Sequence, residues 1–254
     1  MSKMHTTTDR VNFRGTPAFG NNRLGSLHLA QGVEITGAKQ GDRWMPCDAK
    51  INGIKLSGFV SKNVLRGPLF QPKENLLQHC VTEWLRFNRG TEKEYEQPFI
   101  KRVGDYWNSI NMDLDGLDRD QPWSAAFISF VVRNSGGYAG FKYAAAHARY
   151  CHKAINAKLN STPHPFWGFK INQHKPKLGD MVCRWRSNKI DYNYAAKNQW
   201  FKSHCDIVVA IETNTVLTIG GNVQQSVRHT RYKLNNKGFL SGDGNVYAVL
   251  RNNL

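Results

Sequence analysis

The sequence predicts an α+β protein in which a small all-β part precedes a larger part made of helices and then strands. Residues 11–66 form short alternating runs broken by glycines, whereas apolar residues follow helical spacing soon after residue 74. Strand-like runs return from residue 179 to residue 250. Helices followed by an antiparallel sheet are typical of an α+β domain.

The first part alternates apolar and polar residues in "GSLHLAQGVEITG" and again in "GIKLSGFVSKNVL". Regular short strands separated by glycine-containing turns predict a small barrel. The segment "RGPLFQPKEN" then contains one glycine and two prolines, which interrupt any regular element. We therefore predict two domains, residues 1–70 and residues 71–254.

The second part changes its periodicity. Apolar residues at helical spacing predict three helices, in "NLLQHCVTEWLRFN", "WSAAFISFVVRNSGG" and "KYAAAHARYCHKAINAKL". Five later runs read as strands: "GDMVCRW", "HCDIVVAIE", "TVLTIGGN", "SVRHTRYKL" and "VYAVL".

The chain is strongly basic, with a formal charge of +16 over 254 residues and a pI near 9.8. Such a balance indicates an anionic partner, which includes nucleic acid, a membrane surface and an acidic wall polymer. The charge is spread along the chain without a basic block or an arginine-rich arm. This distribution favours non-specific attraction over base recognition, so we expect no nucleic-acid partner.

Five cysteines form no CxxC pair, and their odd number argues against a complete disulfide framework. We expect buried thiols, no metal ion and no cofactor. The start, "MSKMHTTTDRVNF", has no apolar segment typical of a secretory signal. No apolar run reaches 18 residues, so we expect no membrane insertion.

One serine stands where a helix is predicted to begin, in "QPWSAAFISFVV". Ser124 has two readings on this evidence. It is a helix N-cap, which is a common use of serine, or it is a nucleophile at the positive end of a helix.

The first part resembles a bacterial SH3-like domain over about residues 10–66. The resemblance lies in "VNFRGTP", "LAQGVEITG", "GDRWMPCD" and "KLSGFVSKNVL", which occur in the order of that family's landmarks. It implies an N-terminal SH3-like barrel in domain 1–70. Such domains commonly bind cell-wall peptides, and the alternative is a spacer without a ligand.

The second part resembles the papain-like NlpC and CHAP superfamily of wall hydrolases, and most closely an uncharacterised domain family numbered 2272. The motifs are "PWSAAFISFV", "AAAHARYC", "KPKLGDMVC", "HCDIVVAI" and "IGGNVQQSV". The resemblance implies a papain-like α+β domain over residues 71–254 that hydrolyses peptidoglycan as an amidase or endopeptidase. Relatives commonly have cysteine at the nucleophile position, where this chain has Ser124.

The resemblance implies that Ser124 is the nucleophile and His204 the base, with Asp206 or Asn222 orienting the histidine. A serine must pass its proton to a neutral histidine as it attacks, because its hydroxyl is not stably ionised. Two alternatives to an active serine stay open: a site that has lost its cysteine, and an engineered replacement of cysteine by serine.

Two further residues are predicted to contact the substrate, Trp123 and His147. His147 lies on a predicted helix with an alanine-rich face, from which it can reach the site. The alternative is a partly buried histidine with a structural hydrogen bond.

These predictions lead to an expected partner and location. The expected partner is peptidoglycan, reached in the periplasm or cell wall by a specialised secretion system or during phage lysis. An antibacterial effector of this kind needs an immunity protein in its producer. The main alternative is a non-catalytic wall-binding protein with a degenerate site. A nucleic-acid binder is supported by charge alone.

Overall fold

The computed structural model describes residues 2–243 and 245–254. The chain divides into two compact units, Met1–Gln71 and Pro72–Leu254. This division lies one residue from the predicted boundary between residues 70 and 71.

From residue 2 onward, the first unit is built from seven strands. They are β1 (Ser2–Thr6), β2 (Val11–Arg14), β3 (Arg23–Leu27), β4 (Gly32–Ile35), β5 (Trp44–Ile51), β6 (Ile54–Ser61) and β7 (Leu65–Arg66). A short 3-10 helix, Lys62–Val64, separates the last two. The strands form one sheet in the order β3-β2-β6-β5-β4-β1-β7, and the paired strands are antiparallel.

Strand alternation supplies the core of this unit, because successive side chains point to opposite faces. The buried apolar side chains are Val11, Phe13, Leu27, Val33, Ile35, Cys47, Ala49 and Val60. The pairings within the described residues do not join β3 to β7. A closed SH3-like barrel is therefore not confirmed.

Five helices lie in the described part of the second unit, the first of them beginning at Gln71, the last residue of the first unit. They are α1 (Gln71–Arg86), α2 (Phe99–Asn108), α3 (Ser124–Ser135), α4 (His147–Leu159) and α5 (Tyr192–Lys197). Of these, α1, α3 and α4 match the predicted helices, whereas α2 and α5 were not predicted. Helix α3 is followed by Gly136 with φ 68°, a left-handed value that glycine adopts at low cost.

Among its described residues, the second unit also has six strands: β8 (Phe166–Phe169), β9 (Met181–Trp185), β10 (Ser203–Ile211), β11 (Thr215–Gly220), β12 (Arg228–Lys233) and β13 (Val246–Asn252). They form an antiparallel sheet in the order β12-β11-β10-β9-β13-β8. Strand β8 was not predicted. Helices α3 and α4 both contact β10.

The predicted α+β class is thus confirmed, with two antiparallel sheets and few helices. A papain-like arrangement of the second unit stays a prediction. Within the described ranges, no helix combines the length and hydropathy needed to cross a membrane.

Candidate active site

Ser124 is the first residue of α3, and Trp123 occupies the N-cap position without a side-chain cap bond. The serine is therefore not the N-cap of its helix. The first N–H groups of a helix have no acceptor within the helix, and they give this end a partial positive charge. Ser124 is 4% exposed, so its hydroxyl lies in a nearly closed space at that positive end.

The hydroxyl of Ser124 contacts a histidine from the neighbouring helix. Ser124 Oγ lies 2.7 Å from Nε2 of His147, the first residue of α4. The other ring nitrogen, Nδ1, contacts the hydroxyl of Tyr150. Because residues three apart lie on one face of a helix, Tyr150 can hold the His147 ring from the same helix. The result is a hydrogen-bonded chain of serine, histidine and tyrosine.

The surroundings of His147 keep its ring neutral. Burial lowers its pKa well below the usual 6.5, and the positive charges of Arg186 and Arg184 act in the same direction. A neutral imidazole has one unprotonated nitrogen, and Nε2 can accept the serine proton when Nδ1–H donates to Tyr150. This state is the one that a general base for a serine needs.

A second polar chain lies at the start of β10. His204 is fully buried, and its Nε2 is 2.7 Å from Oδ1 of Asp206. Its Nδ1 is 3.0 Å from Nη2 of Arg186. A guanidinium can only donate, so Nδ1 is the acceptor and Nε2–H donates to Asp206. Both nitrogens of His204 are engaged in this arrangement.

Opposing effects set the ionisation of Asp206 and His204. Burial opposes ionisation of Asp206, but His204 and Arg184 outweigh it and lower the pKa of the carboxyl. Burial also lowers the pKa of His204, which Asp206 only partly offsets. The hydroxyl of Tyr232 donates to Oδ2 of Asp206 at 2.8 Å. Asp206 is thus an ionised carboxylate held by a neutral histidine and a phenol.

The two sets of hydrogen-bonded side chains lie side by side. The ring centroids of His147 and His204 are 5.1 Å apart, with an angle of 52° between the ring planes. We call Ser124, His147 and Tyr150 the front layer of the site, and His204, Asp206 and Tyr232 the rear layer.

Two glycines at the end of β11 allow this packing. A Cβ on Gly220 would lie 1.8 Å from Oδ1 of Asp206, and a Cβ on Gly221 would lie 2.5 Å from Cβ of Phe127. Real Cβ contacts are essentially never below 3.0 Å. The paired glycines in "IGGN" therefore let β11 approach both the rear layer and helix α3.

The structure brings together four of the six predicted site residues: Ser124, His147, His204 and Asp206. The hydrogen bond of Ser124 goes to His147 instead of His204, and the bond of His204 goes to Asp206 instead of Asn222. Asn222 is half-buried with φ 53° and has no side-chain hydrogen bond to His204 within the described residues. The catalytic roles themselves stay predictions.

Trp123 lies behind the site. Its ring is 1% exposed, and its indole Nε1–H donates to Oε2 of Glu94 at 2.5 Å. Contact between this ring and a substrate requires the wall of the site to open, and the substrate-binding role of Trp123 stays a prediction.

Three residues of the site were not predicted: Tyr150, Arg186 and Tyr232. Only Tyr150 carried a signal in the sequence, since it lies three residues after His147 in a predicted helix. Arg186 and Tyr232 reach the site through strand pairing, which local sequence patterns do not specify.

Comparisons with known proteins identify the family. Residues 96–252 match the model of a bacterial family described as "Uncharacterized protein conserved in bacteria (DUF2272)". Because the match covers more than half of the chain, the protein belongs to this family. No curated protein matches the chain.

A solved structure, "Structure of NlpC2 from Trichomonas vaginalis", is 12% identical to the chain with a TM-score of 0.27. The alignment covers 99% of this chain and 73% of that one. These values are too low to assign a fold.

Proposed function

We propose that the protein is a peptidoglycan hydrolase that cleaves an amide or ester bond of the wall stem peptide through Ser124. The observation that carries the proposal is the 2.7 Å contact between Ser124 Oγ and His147 Nε2 at the start of a buried helix. The wall substrate rests on the resemblance of the motifs to wall hydrolases and on the basic charge.

The geometry supports nucleophilic catalysis in two stages. Ser124 Oγ attacks the carbonyl carbon while its proton passes to Nε2 of His147. N–H groups at the start of α3 can then donate to the oxyanion, and each such donor is typically worth about 3 kcal/mol. His147 returns the proton to the leaving amine or alcohol. Water then attacks the acyl group while His147 accepts its proton, and His147 finally returns a proton to Ser124 Oγ as the acid product leaves.

The choice of base is the main difference between the geometry and the family resemblance. His147 contacts the serine, whereas His204 is the base that the resemblance implies. We assign the base to His147, with Tyr150 accepting Nδ1–H. The Asp206 carboxylate, held by His204, then supplies negative charge behind the protonated His147 ring.

A basic groove on α4 offers a place for an anionic wall polymer. The groove has a volume of about 380 Å³ and is lined by Lys142, Arg149, His152, Lys153, Asn156 and Gln199. No described carboxylate forms an ion pair with its lysines or arginine. These cations are therefore available to an anionic ligand. Action in the periplasm or wall, and neutralisation by an immunity protein, are parts of the same proposal.

A second candidate function is non-catalytic wall binding. It is favoured by the burial of the front layer, since Ser124 is only 4% and His147 only 5% exposed. A binding protein needs no open nucleophile. It would retain wall material without releasing fragments.

The test has two readouts. The protein is incubated with purified sacculi, and released muropeptides are analysed by mass spectrometry. In parallel, a fluorophosphonate probe reports whether a serine is activated. We expect fragment release and labelling in the unaltered protein and neither in Ser124→Ala. The matched control is Ser135→Ala, which removes a buried hydroxyl of the same helix that bonds only within that helix.

The base is tested by comparing His147→Gln with His204→Gln. We expect the first to lower kcat by about 10³-fold or more, in line with the loss of a general base. The second should cost less, because His204 does not touch the serine. Release of fragments by Ser124→Ala at the unaltered rate would remove the serine mechanism. Retention of sacculi without any release would favour the binding function.

A further inference from the structure

Three cysteines that are far apart in the sequence meet behind the candidate active site. Cys151 lies on α4, Cys183 on β9 and Cys205 on β10, and all three are buried free thiols. Sγ of Cys151 is 3.3 Å from Sγ of Cys205 and 3.6 Å from Sγ of Cys183, and the two strand sulfurs are 2.9 Å apart. We call this group the trithiol cluster.

Strand register explains the close approach of two of these sulfurs. Cys183 and Cys205 are direct partners in the antiparallel pair β9–β10. Farther along the same register, the N–H of Arg186 donates to the carbonyl of Lys202. Bonded and non-bonded pairs alternate, so Cys183–Cys205 is a non-bonded pair, in which opposing side chains lie closest. Helix α4 then places Cys151 against both.

The chemistry of the cluster suits a soft metal cation. Thiolates are preferred by Zn(II) and Cu(I), and a Zn–S bond is about 2.3 Å long. Tetrahedral bonds of that length place sulfurs about 3.8 Å apart. The observed separations of 2.9–3.6 Å reach this value by small outward side-chain rotations.

An independent observation lies beside the sulfurs. Tyr247 on β13 is 5% exposed, and its hydroxyl has no hydrogen-bond partner of full geometry among the described residues. Tyr247 lies between Val246 and Ala248, which pair with Arg184 and Cys183 on β9, and its hydroxyl neighbours Cys151. A buried polar atom without a partner is costly. A cation held by the sulfurs would give this oxygen a ligand position.

We propose that Cys151, Cys183 and Cys205 bind one closed-shell thiophilic metal ion, with Tyr247 next to the fourth coordination position. Binding forms three metal–sulfur bonds, releases the three thiol protons to solvent and transfers no electrons. Zn(II) and Cu(I) share this chemistry, and the experiment below separates them. Because the cluster is closed to solvent, the ion enters during folding.

The ion would have a structural role in the site. Cys151 follows His147 by one helical turn, and Cys205 lies between His204 and Asp206 on β10. A metal at the cluster therefore ties α4 to the sheet directly behind both histidines. This inference does not depend on the proposed hydrolysis, because metal content is measured without a substrate.

The test uses the full-length protein unfolded and refolded without oxygen in the presence of one equivalent of Zn(II), Cu(I) or Cd(II). Elemental analysis after desalting gives the stoichiometry, and Cd(II) reports thiolate bonds through its ultraviolet charge-transfer absorption. We expect about one ion per chain. X-ray absorption on the metal-loaded protein should show three sulfur neighbours at about 2.3 Å for zinc. Competition between Zn(II) and Cu(I) identifies the preferred ion.

Alanine variants of the three cluster cysteines should each bind less than a tenth of the unaltered amount. Cys47→Ala and Cys80→Ala are matched controls, because both remove a buried free thiol outside the cluster. Where a cluster variant does not fold, the sulfur count in the unaltered protein decides the question. The proposal is overturned by a Cys183–Cys205 disulfide under non-reducing conditions, by refolding without bound metal, or by metal retained in the cluster variants.

Discussion

The substitution Gly220→Ala tests the close approach of β11 to the rear layer of the site. The added Cβ would lie 1.8 Å from Oδ1 of Asp206 and 3.0 Å from Nε2 of His204. Asp206 has no free direction in which to move, since its other oxygen accepts a hydrogen bond from Tyr232. The carboxylate must shift by more than 1 Å, or β11 must leave β10.

Either response carries a large cost. Overpacking a core typically costs about 1–3 kcal/mol. Breaking a buried charged pair by displacing one partner typically costs about 3–5 kcal/mol. The shift needed here separates His204 from Asp206, so the second range applies. We expect Gly220→Ala to lower the free energy of unfolding of the second unit by about 3–5 kcal/mol.

Urea unfolding followed by tryptophan fluorescence measures this change. The matched control is Gly104→Ala in helix α2, where the added Cβ meets its nearest atom at 3.5 Å. That control should be neutral or stabilising by up to about 1 kcal/mol. In the double variant Gly220→Ala, Asp206→Ala, the effects should be less than additive, because the clashing oxygen is absent. The reasoning is refuted if Gly220→Ala is as stable as the control.

Four further predictions concern the site, the surface and the domain boundary. Ser124→Cys should change turnover by less than about tenfold, because burial of His147 opposes a thiolate–imidazolium pair. A hundredfold gain in turnover would instead indicate a degenerate cysteine site. The pKa values of His147 and His204 are lowered in the folded protein, so the unfolded chain binds protons at these histidines at a higher pH. The free energy of unfolding should therefore decrease as the pH is lowered from about 6.5, by at most about 1.4 kcal/mol per pH unit for each histidine. Urea midpoints from pH 5 to pH 7.5 measure this slope, and a flat profile would contradict it. Retention of the protein on sacculi should weaken with salt, because exposed charges are screened over about 8 Å at physiological ionic strength; equal retention in low and high salt would exclude the basic groove as the cause. Limited proteolysis should cut within residues 67–73, and a resistant fragment spanning them would count against separable units.

Local patterns in the sequence were sufficient for much of the fold. Helical periodicity located α1, α3 and α4, and alternating runs located most strands of the second unit, because each of these elements buries one continuous apolar face. Helix α2 was missed because "KRVGDYWN" carries its apolar residues among charged and small ones. Helix α5 has only 6 residues, too few for a periodic signal.

The sequence predicted some features of the candidate site and left others open. The position of Ser124 at a helix start followed from the sequence, since proline and tryptophan precede a long apolar run there. The sequence could not choose the partner of the serine, because His147 and His204 are 57 residues apart and both lie near its helix. Hydrogen-bond distances separate them, with His147 on the serine and His204 on Asp206.

The sequence by itself determined the α+β class, the point at which strand periodicity gives way to helices, and the residue types available for chemistry. These properties depend on neighbours within a few residues, and the chain carries them before it folds. Only the tertiary structure decided which histidine meets Ser124, why Gly220 has no side chain, and that Cys151, Cys183 and Cys205 meet. Each of these depends on the register of β9, β10 and β11 and on the packing of α4, which are set by contacts between distant parts of the chain.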